Sequence, residues 1–228
     1  VADCLGIEKS SVLVASTGVI GMQLPMDRIA NGIKMLSESL EDTIEAGTKA
    51  AQAIMTTDTV SKQVAVKFTV DGKEVTVGGM CKGSGMIHPN MCTMLGFVTT
   101  DLAISKELLQ KALSENVVDT FNMVSVDGDT STNDTLVILA NGMAGNAEIT
   151  AEGADFDTFM KALNSVTVYL CRMIAGDGEG ATKLLECSVS GAKDIATAKA
   201  TPLIIEKEFS FCIKKHLRSI LCEGAFNL

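Results

Sequence analysis

The spacing of hydrophobic positions changes several times along this chain, and each change predicts an element. Residues 10–17, SSVLVAST, form a short apolar and β-branched run that stops at Gly18, which predicts a buried strand feeding a turn. From Met26 the residues Ile29, Ile33, Leu36, Leu40 and Ile44 recur at three- and four-residue steps. That is one face of an amphipathic helix, with Asp27, Lys34, Glu38 and Glu41 outside it. Gly47 is the expected stop, and TKAAQAIM (48–55) can begin another short helix. Residues 63–80, QVAVKFTVDGKEVTVGGM, alternate strictly around Asp71-Gly72. Asp-Gly between alternating runs predicts a hairpin, because both central residues of a type I′ turn need positive φ.

Further on, MLGFVTTDLAI (94–104) predicts a strand, and SKELLQKALSENVVDTF (105–121) a helix with Ser105 as its N-cap. MVSVDGD (123–129) and DTLVILAN (134–141) read as strands around a polar turn at 127–134. Phe156, Phe159, Met160, Leu163, Val166 and Leu170 mark a long helix ending near Gly176, and KLLECSVSG (183–191) gives a final strand. Strands outnumber helices and the helices come singly. The expected class is therefore α/β (α+β), with layered sheets and helices packed outside them. The tail from Thr201, with FSFCIKKHLRSILCEG, does not fit that layered pattern.

Composition narrows the function classes. A length of 228 residues with 46% hydrophobic content suits one large domain or two small lobes. Aromatics are only 4%, so Gly, Ala, Val, Ile and Met must fill the interior. The formal net charge is −9 and no Lys/Arg block exists, which excludes a phosphate-neutralising face for nucleic acid. Seven cysteines occur with no CxxC pair, an odd number that points to a reducing, cytoplasmic setting. The sequence contains neither a bilayer-spanning apolar run nor a signal-peptide pattern, so no membrane partner is expected.

Several candidate sites compete. Cys81, His88 and Cys92 carry metal-ligand chemistry, but Cys-x6-His-x3-Cys is not a usual zinc spacing, and buried thiols beside a loop histidine are the simpler reading. GGMCKGSG around Lys82 lacks the order of a phosphate-binding loop, and glycines at a strand end more often mark close packing. MTTDT (55–59), DGDTSTND (127–134) and GDGEGATK (176–183) are polar clusters with no core role; for DGDTSTND alone, ordinary turn chemistry is favoured. An EF-hand is excluded, because no glutamate stands at the twelfth loop position. Thr93 becomes a nucleophile only if something takes its proton. A cut between Cys92 and Thr93 would make its own α-amine the base. A free cysteine is intrinsically the better nucleophile, so residue chemistry alone does not choose between Cys92 and Thr93.

The motifs taken together do. STGVIG (16–21), MTTDTVSK (55–62), CKGSGMIHPNMCTMLGF (81–97), DGDTSTND and GDGEGATK occur in an order and spacing that resemble the ornithine acetyltransferase family of arginine biosynthesis, over about residues 1–200. The resemblance implies a layered α/β fold of the self-processing N-terminal-nucleophile type. It implies cleavage between Cys92 and Thr93, leaving 1–92 as the end of an α chain and 93–200 as the start of a β chain, assembled as an α2β2 heterotetramer. Thr93 matches the nucleophile, and Thr17 and Gly18 match the oxyanion-stabilising pair. Thr56, Lys82, Thr93 and Glu179 match substrate-binding positions. The implied reaction is acetyl transfer from N2-acetylornithine to glutamate through an acetyl-threonine. No cofactor or metal is implied, and acetyl-CoA enters only as a co-substrate of bifunctional members.

Two departures stand out. Cys92 occupies a place usually held by alanine, and its small side chain still permits the N→O acyl shift. Family chains are also longer at both ends, and 201–228 matches nothing in them, so the sequence is expected to be a piece whose tail is foreign to the family. Two rival readings remain, a self-processing amidohydrolase that gives the acyl group to water, and a non-catalytic small-molecule or metal-binding module on the Cys81/His88/Cys92 loop.

Overall fold

The computed structural model describes residues 1–88, 94–194, 197–199 and 219–223. Its centre is a four-stranded mixed sheet. β1 (Lys62–Val70) and β2 (Lys73–Lys82) form the antiparallel hairpin expected from the alternation. The turn is made by Asp71 and Gly72, at φ 50° and 68°, the left-handed pair that a two-residue type I′ turn requires. β2 pairs antiparallel with β3 (Leu95–Thr100). β3 runs parallel to a fourth strand, Thr135–Ala140, on its far side.

Three short helices precede the sheet: α1 (Ala2–Leu5), α2 (Met26–Ser37) and α3 (Ile44–Ala53). Here the sequence expectation needs correction. Residues 10–17 form no strand; a 3₁₀ turn occupies Lys9–Ser11, and Val14 is 83% exposed. Thr17 and Gly18 therefore do not sit at a strand end. The single helix expected from Met26 to Gly47 is two helices. The Ser37 and Ser39 hydroxyls donate to the Lys34 and Leu36 carbonyls, local bonds that compete with helix continuation. Thr43 then caps α3 by accepting the Ala46 N–H at 3.1 Å, which leaves Gly47 inside that helix. α2 buries none of its residues.

After β3, α4 (Lys106–Val118) starts at Ser105, whose hydroxyl accepts the Leu108 N–H as its N-cap. β4 is only Val124–Ser125, and Thr135–Ala140 is β5. α5 (Ala154–Gly176) supplies most of the core. Phe156, Phe159, Leu163, Val166, Leu170 and Ile174 follow one another at three- and four-residue steps, all buried, on the face packed against β1 and β2. At about 1.5–3 kcal/mol for each buried large apolar side chain, this stripe is the main attachment of helix to sheet.

β6 (Leu184–Ser188) is not the final strand. β7 (Ser219–Glu223), from the tail that fitted no pattern, lies between β4 and β6, antiparallel to the first and parallel to the second. No helix of the described residues is long and apolar enough to cross a membrane.

The pairing register decides where function can sit. Lys62 faces Cys81, Lys82 faces Leu95, and Leu95 faces Thr135. Four strand ends therefore line up at one margin of the sheet.

Candidate active site

At that margin the side chains are tied into a buried charge network. Lys62 is the first residue of β1 and shares the inward face with Val64, Val66 and Phe68, fully buried. Its ammonium donates to Asp58 Oδ1 at 2.7 Å and to Asp177 Oδ2 at 2.6 Å. Asp58 also accepts the Gly83 N–H at 2.7 Å and the Thr56 N–H at 3.1 Å. Asp177, just past the end of α5, accepts from the Thr59 N–H and hydroxyl. Three segments far apart in sequence, 55–62, 81–85 and 176–180, thus share one set of charge-assisted bonds.

Burial pushes both carboxyls up, and their donors outweigh it. The Gly83 N–H, Lys62 and the Thr56 N–H hold Asp58 below the ordinary carboxylate range. Lys62 and Thr59 do the same for Asp177.

Lys82, Thr56 and Glu179 are brought together by this network. Lys82 ends β2 and is 4% exposed. Burial lowers its pKa, partly offset by Asp58 and Glu179, and it forms no ion pair among the described residues. The Glu179 N–H donates to the Ser84 carbonyl at 2.6 Å. The Thr57 and Ser84 hydroxyls are 2.7 Å apart, which binds the same loops once more. Gly85 lets the glutamate lie close: a Cβ there would stand 2.9 Å from Glu179 Cδ, so that side chain would have to shift. The result is a buried Lys82 two residues before Ser84 and an exposed Glu179 whose N–H bonds Ser84, with Thr56 exposed and linked to the same segment through Asp58.

A second set of bonds involves DGDTSTND. Asp127 accepts the Ile87 N–H at 2.8 Å and the Met86 N–H, while Ile87 O accepts the Val126 N–H at 2.7 Å. Asp134 Oδ1 accepts the Met94 N–H at 2.9 Å, and Met94 O accepts the Thr135 N–H at 3.1 Å. Burial lifts the Asp134 carboxyl to about 6 against the pull of the Met94 N–H. Its Oδ2 is buried with no hydrogen-bond partner among the described residues. The Asn133 side-chain amide donates to the Ser16 carbonyl at 3.3 Å, so the segment carrying Thr17 and Gly18 touches this same loop. Cys92 and Thr93, the expected cleavage pair, lie outside the described residues.

Cys81 is packed in the hydrophobic core, and burial pushes its thiol to about 12, which keeps it protonated and inert. His88 Nδ1 lies 3.3 Å from the Ser125 hydroxyl.

Sequence reasoning passed over Asp58, Lys62, Asp177 and Asp134 as individual residues. A signal for the first three was present. Alternation puts Lys62 on the inward face of β1, where a lysine needs a buried counter-charge, and Asp58 stands four residues before it.

Comparison with known proteins bears directly on these motifs. The model of the ArgJ family matches residues 1–209. The arginine biosynthesis bifunctional protein ArgJ of Caldanaerobacter subterraneus subsp. tengcongensis is 55% identical over 193 residues, covering 85% of this chain and 47% of that protein. The protein of the same name from Symbiobacterium thermophilum is 52% identical over 198 residues, covering 87% of this chain and 49% of its own. The chain spans about half the length of the curated relatives it matches. Among solved structures, the Bacillus halodurans ArgJ protein is 46% identical, with a TM-score of 0.42 over 45% of this chain and 50% of that one.

Proposed function

This chain belongs to the ArgJ family, and from that premise we propose that it carries the catalytic region of a glutamate N-acetyltransferase in arginine biosynthesis. The reaction is acetyl transfer from N2-acetylornithine to glutamate through an acetyl-threonine. The observation that carries this reading is Lys82, a buried cation with no ion pair among the described residues, set beside Glu179 across Ser84. A buried unpaired charge is costly, and a substrate carboxylate would relieve it. Glu179 offers the opposite charge for an amino-acid ammonium, and Thr56 lies at the same margin.

In this reading the Thr93 hydroxyl first attacks the Cys92 carbonyl, and water hydrolyses the resulting ester. Residues 1–92 and 93–200 become parts of two chains, assembled as an α2β2 complex. The freed Thr93 amine then takes the hydroxyl proton as Thr93 Oγ attacks the acetyl carbon. Donors from Thr17 and Gly18 stabilise the oxyanion, a contribution of about 2.7–4 kcal/mol per donor. The tetrahedral intermediate collapses, and ornithine leaves with the proton that the threonine amine had taken. The glutamate α-amine attacks the acetyl ester and Thr93 Oγ departs, completing a ping-pong cycle. Acetyl-CoA as a second acetyl donor belongs to the same proposal; the word bifunctional in the relatives' names supports a second activity. A cytoplasmic setting is supported by Cys4, Cys81 and Cys187, which are thiols outside any disulfide.

The test is ornithine release from N2-acetylornithine with and without glutamate. Ornithine release that turns over beyond the single equivalent of the acetyl-threonine step only when glutamate is present, and that yields N-acetylglutamate, supports the transferase. Equal release in both, with free acetate, would replace it by the amidohydrolase.

A further inference from the structure

We propose that Asp134, together with Asp127, is a positioning residue for self-cleavage, holding the chain on both sides of the Cys92–Thr93 bond, a role that rests on the self-processing proposed above. The loop 127–134 begins and ends in a carboxylate, and each end grips the excursion between β2 and β3 at a different point. At Ile87 both backbone groups are held, the N–H by Asp127 and the carbonyl by the Val126 N–H. At Met94 both are held again, the N–H by Asp134 and the carbonyl by the Thr135 N–H. In sequence, the expected cleavage pair Cys92 and Thr93 falls between Ile87 and Met94.

The Met94 amide is the one that follows Thr93. Fixing it fixes the C-terminal side of the residue whose hydroxyl must reach the Cys92 carbonyl, and attack of this kind depends on a near-attack geometry. Asp127 has the harder task at the other end. Met86 is held at φ 55°, a left-handed conformation that a methionine rarely adopts, and its N–H is one of the two that Asp127 accepts.

An asparagine at 134 would accept the Met94 N–H without placing a charge in a partly buried site. The carboxylate present makes a stronger, charge-assisted bond. It does so at the cost of a buried oxygen without a partner among the described residues. A turn needs none of this; a stretch of backbone that must hold one geometry while a peptide bond is attacked does.

The test follows self-cleavage of the freshly translated full chain by intact mass, for wild type, Asp134→Ala, Asp134→Asn and Asp127→Asn, with the melting temperature of each. Asp134→Ala should slow cleavage by about a hundredfold, the scale expected for a misplaced reacting group. Asp134→Asn, which keeps an acceptor, should restore most of that rate, to within about tenfold of wild type. Asp127→Asn, which removes one of the two oxygens that accept the Met86 and Ile87 N–H groups, should slow cleavage as well, while the two asparagine variants melt within a few degrees of wild type. Cleavage of Asp134→Ala at the wild-type rate would overturn the role, and so would slowing that only tracks lost melting temperature across the set. An uncut wild type would overturn the self-processing itself, a result distinct from either.

Discussion

Lys62 Nζ lies 2.6 Å from Asp177 Oδ2, joining the first residue of the central hairpin to the end of the longest helix, 115 positions away in sequence. With Asp58 on its other side, the lysine is the hub through which the 55–62, 81–85 and 176–180 segments hold their relative places. Removing it would leave two carboxylates facing each other without a cation. Lys62→Met should lower stability by about 3–5 kcal/mol, the usual cost of breaking a buried pair from one side. Replacing Asp58 and Asp177 with asparagine in the same chain should recover much of it. Urea unfolding midpoints of the single and triple variants measure both.

Acid should act on this network and on Asp134 in opposite directions. Asp58 and Asp177 are depressed in the folded chain, so the unfolded chain binds protons first. Their contribution is complete above an ordinary carboxylate pKa of about 4 and is lost as pH falls through the folded values. Asp134 is raised to about 6, so there the folded chain binds the proton more tightly. Its effect is a fall in stability as pH rises from about 4 to about 6. Asp134→Asn should abolish that fall while leaving the loss below about pH 4 intact. Unfolding midpoints between pH 3 and pH 7, on the order of one point per half unit, separate the two.

Gly85→Ala should disturb the site without disturbing the fold. The new Cβ meets the far end of a flexible, exposed glutamate side chain, which would have to move aside while the backbone stays in place. The carboxylate would then leave its place beside residue 85. Loss of one charged contact should weaken substrate binding by about tenfold, on the order of 1.4 kcal/mol, with the melting temperature nearly unchanged. Substrate titration of the variant against wild type reads this out.

The central hairpin was legible in the sequence because Asp71-Gly72 encodes its turn and strict alternation encodes its faces. α5 was legible because a six-residue apolar stripe kept helical spacing to its end. The strand expected at 10–17 and the extent of the helix that does begin at Met26 were misread for the converse reason. Periodicity marks a face but says nothing of what covers it, and Val14, Leu36, Leu40 and Ile44 are all exposed. The register that aligns Lys62, Lys82, Leu95 and Thr135 at one margin was hidden, since strand pairing depends on contacts that local patterns do not contain. DGDTSTND looked like turn chemistry because its partners, Ile87 and Met94, offer only backbone groups, and backbone groups leave no trace in the residue types.

The central claim is that Thr93 becomes a nucleophile through the bond broken before it, and intact mass tests this most directly. Wild type should give two fragments divided between Cys92 and Thr93, and the fragment beginning at Thr93 should gain one acetyl group on exposure to N2-acetylornithine without glutamate. Thr93→Ala should give a single uncut mass with no acetyl gain. A wild-type chain that stays whole, or an acetyl group found on the Thr93→Ala chain, would contradict the account.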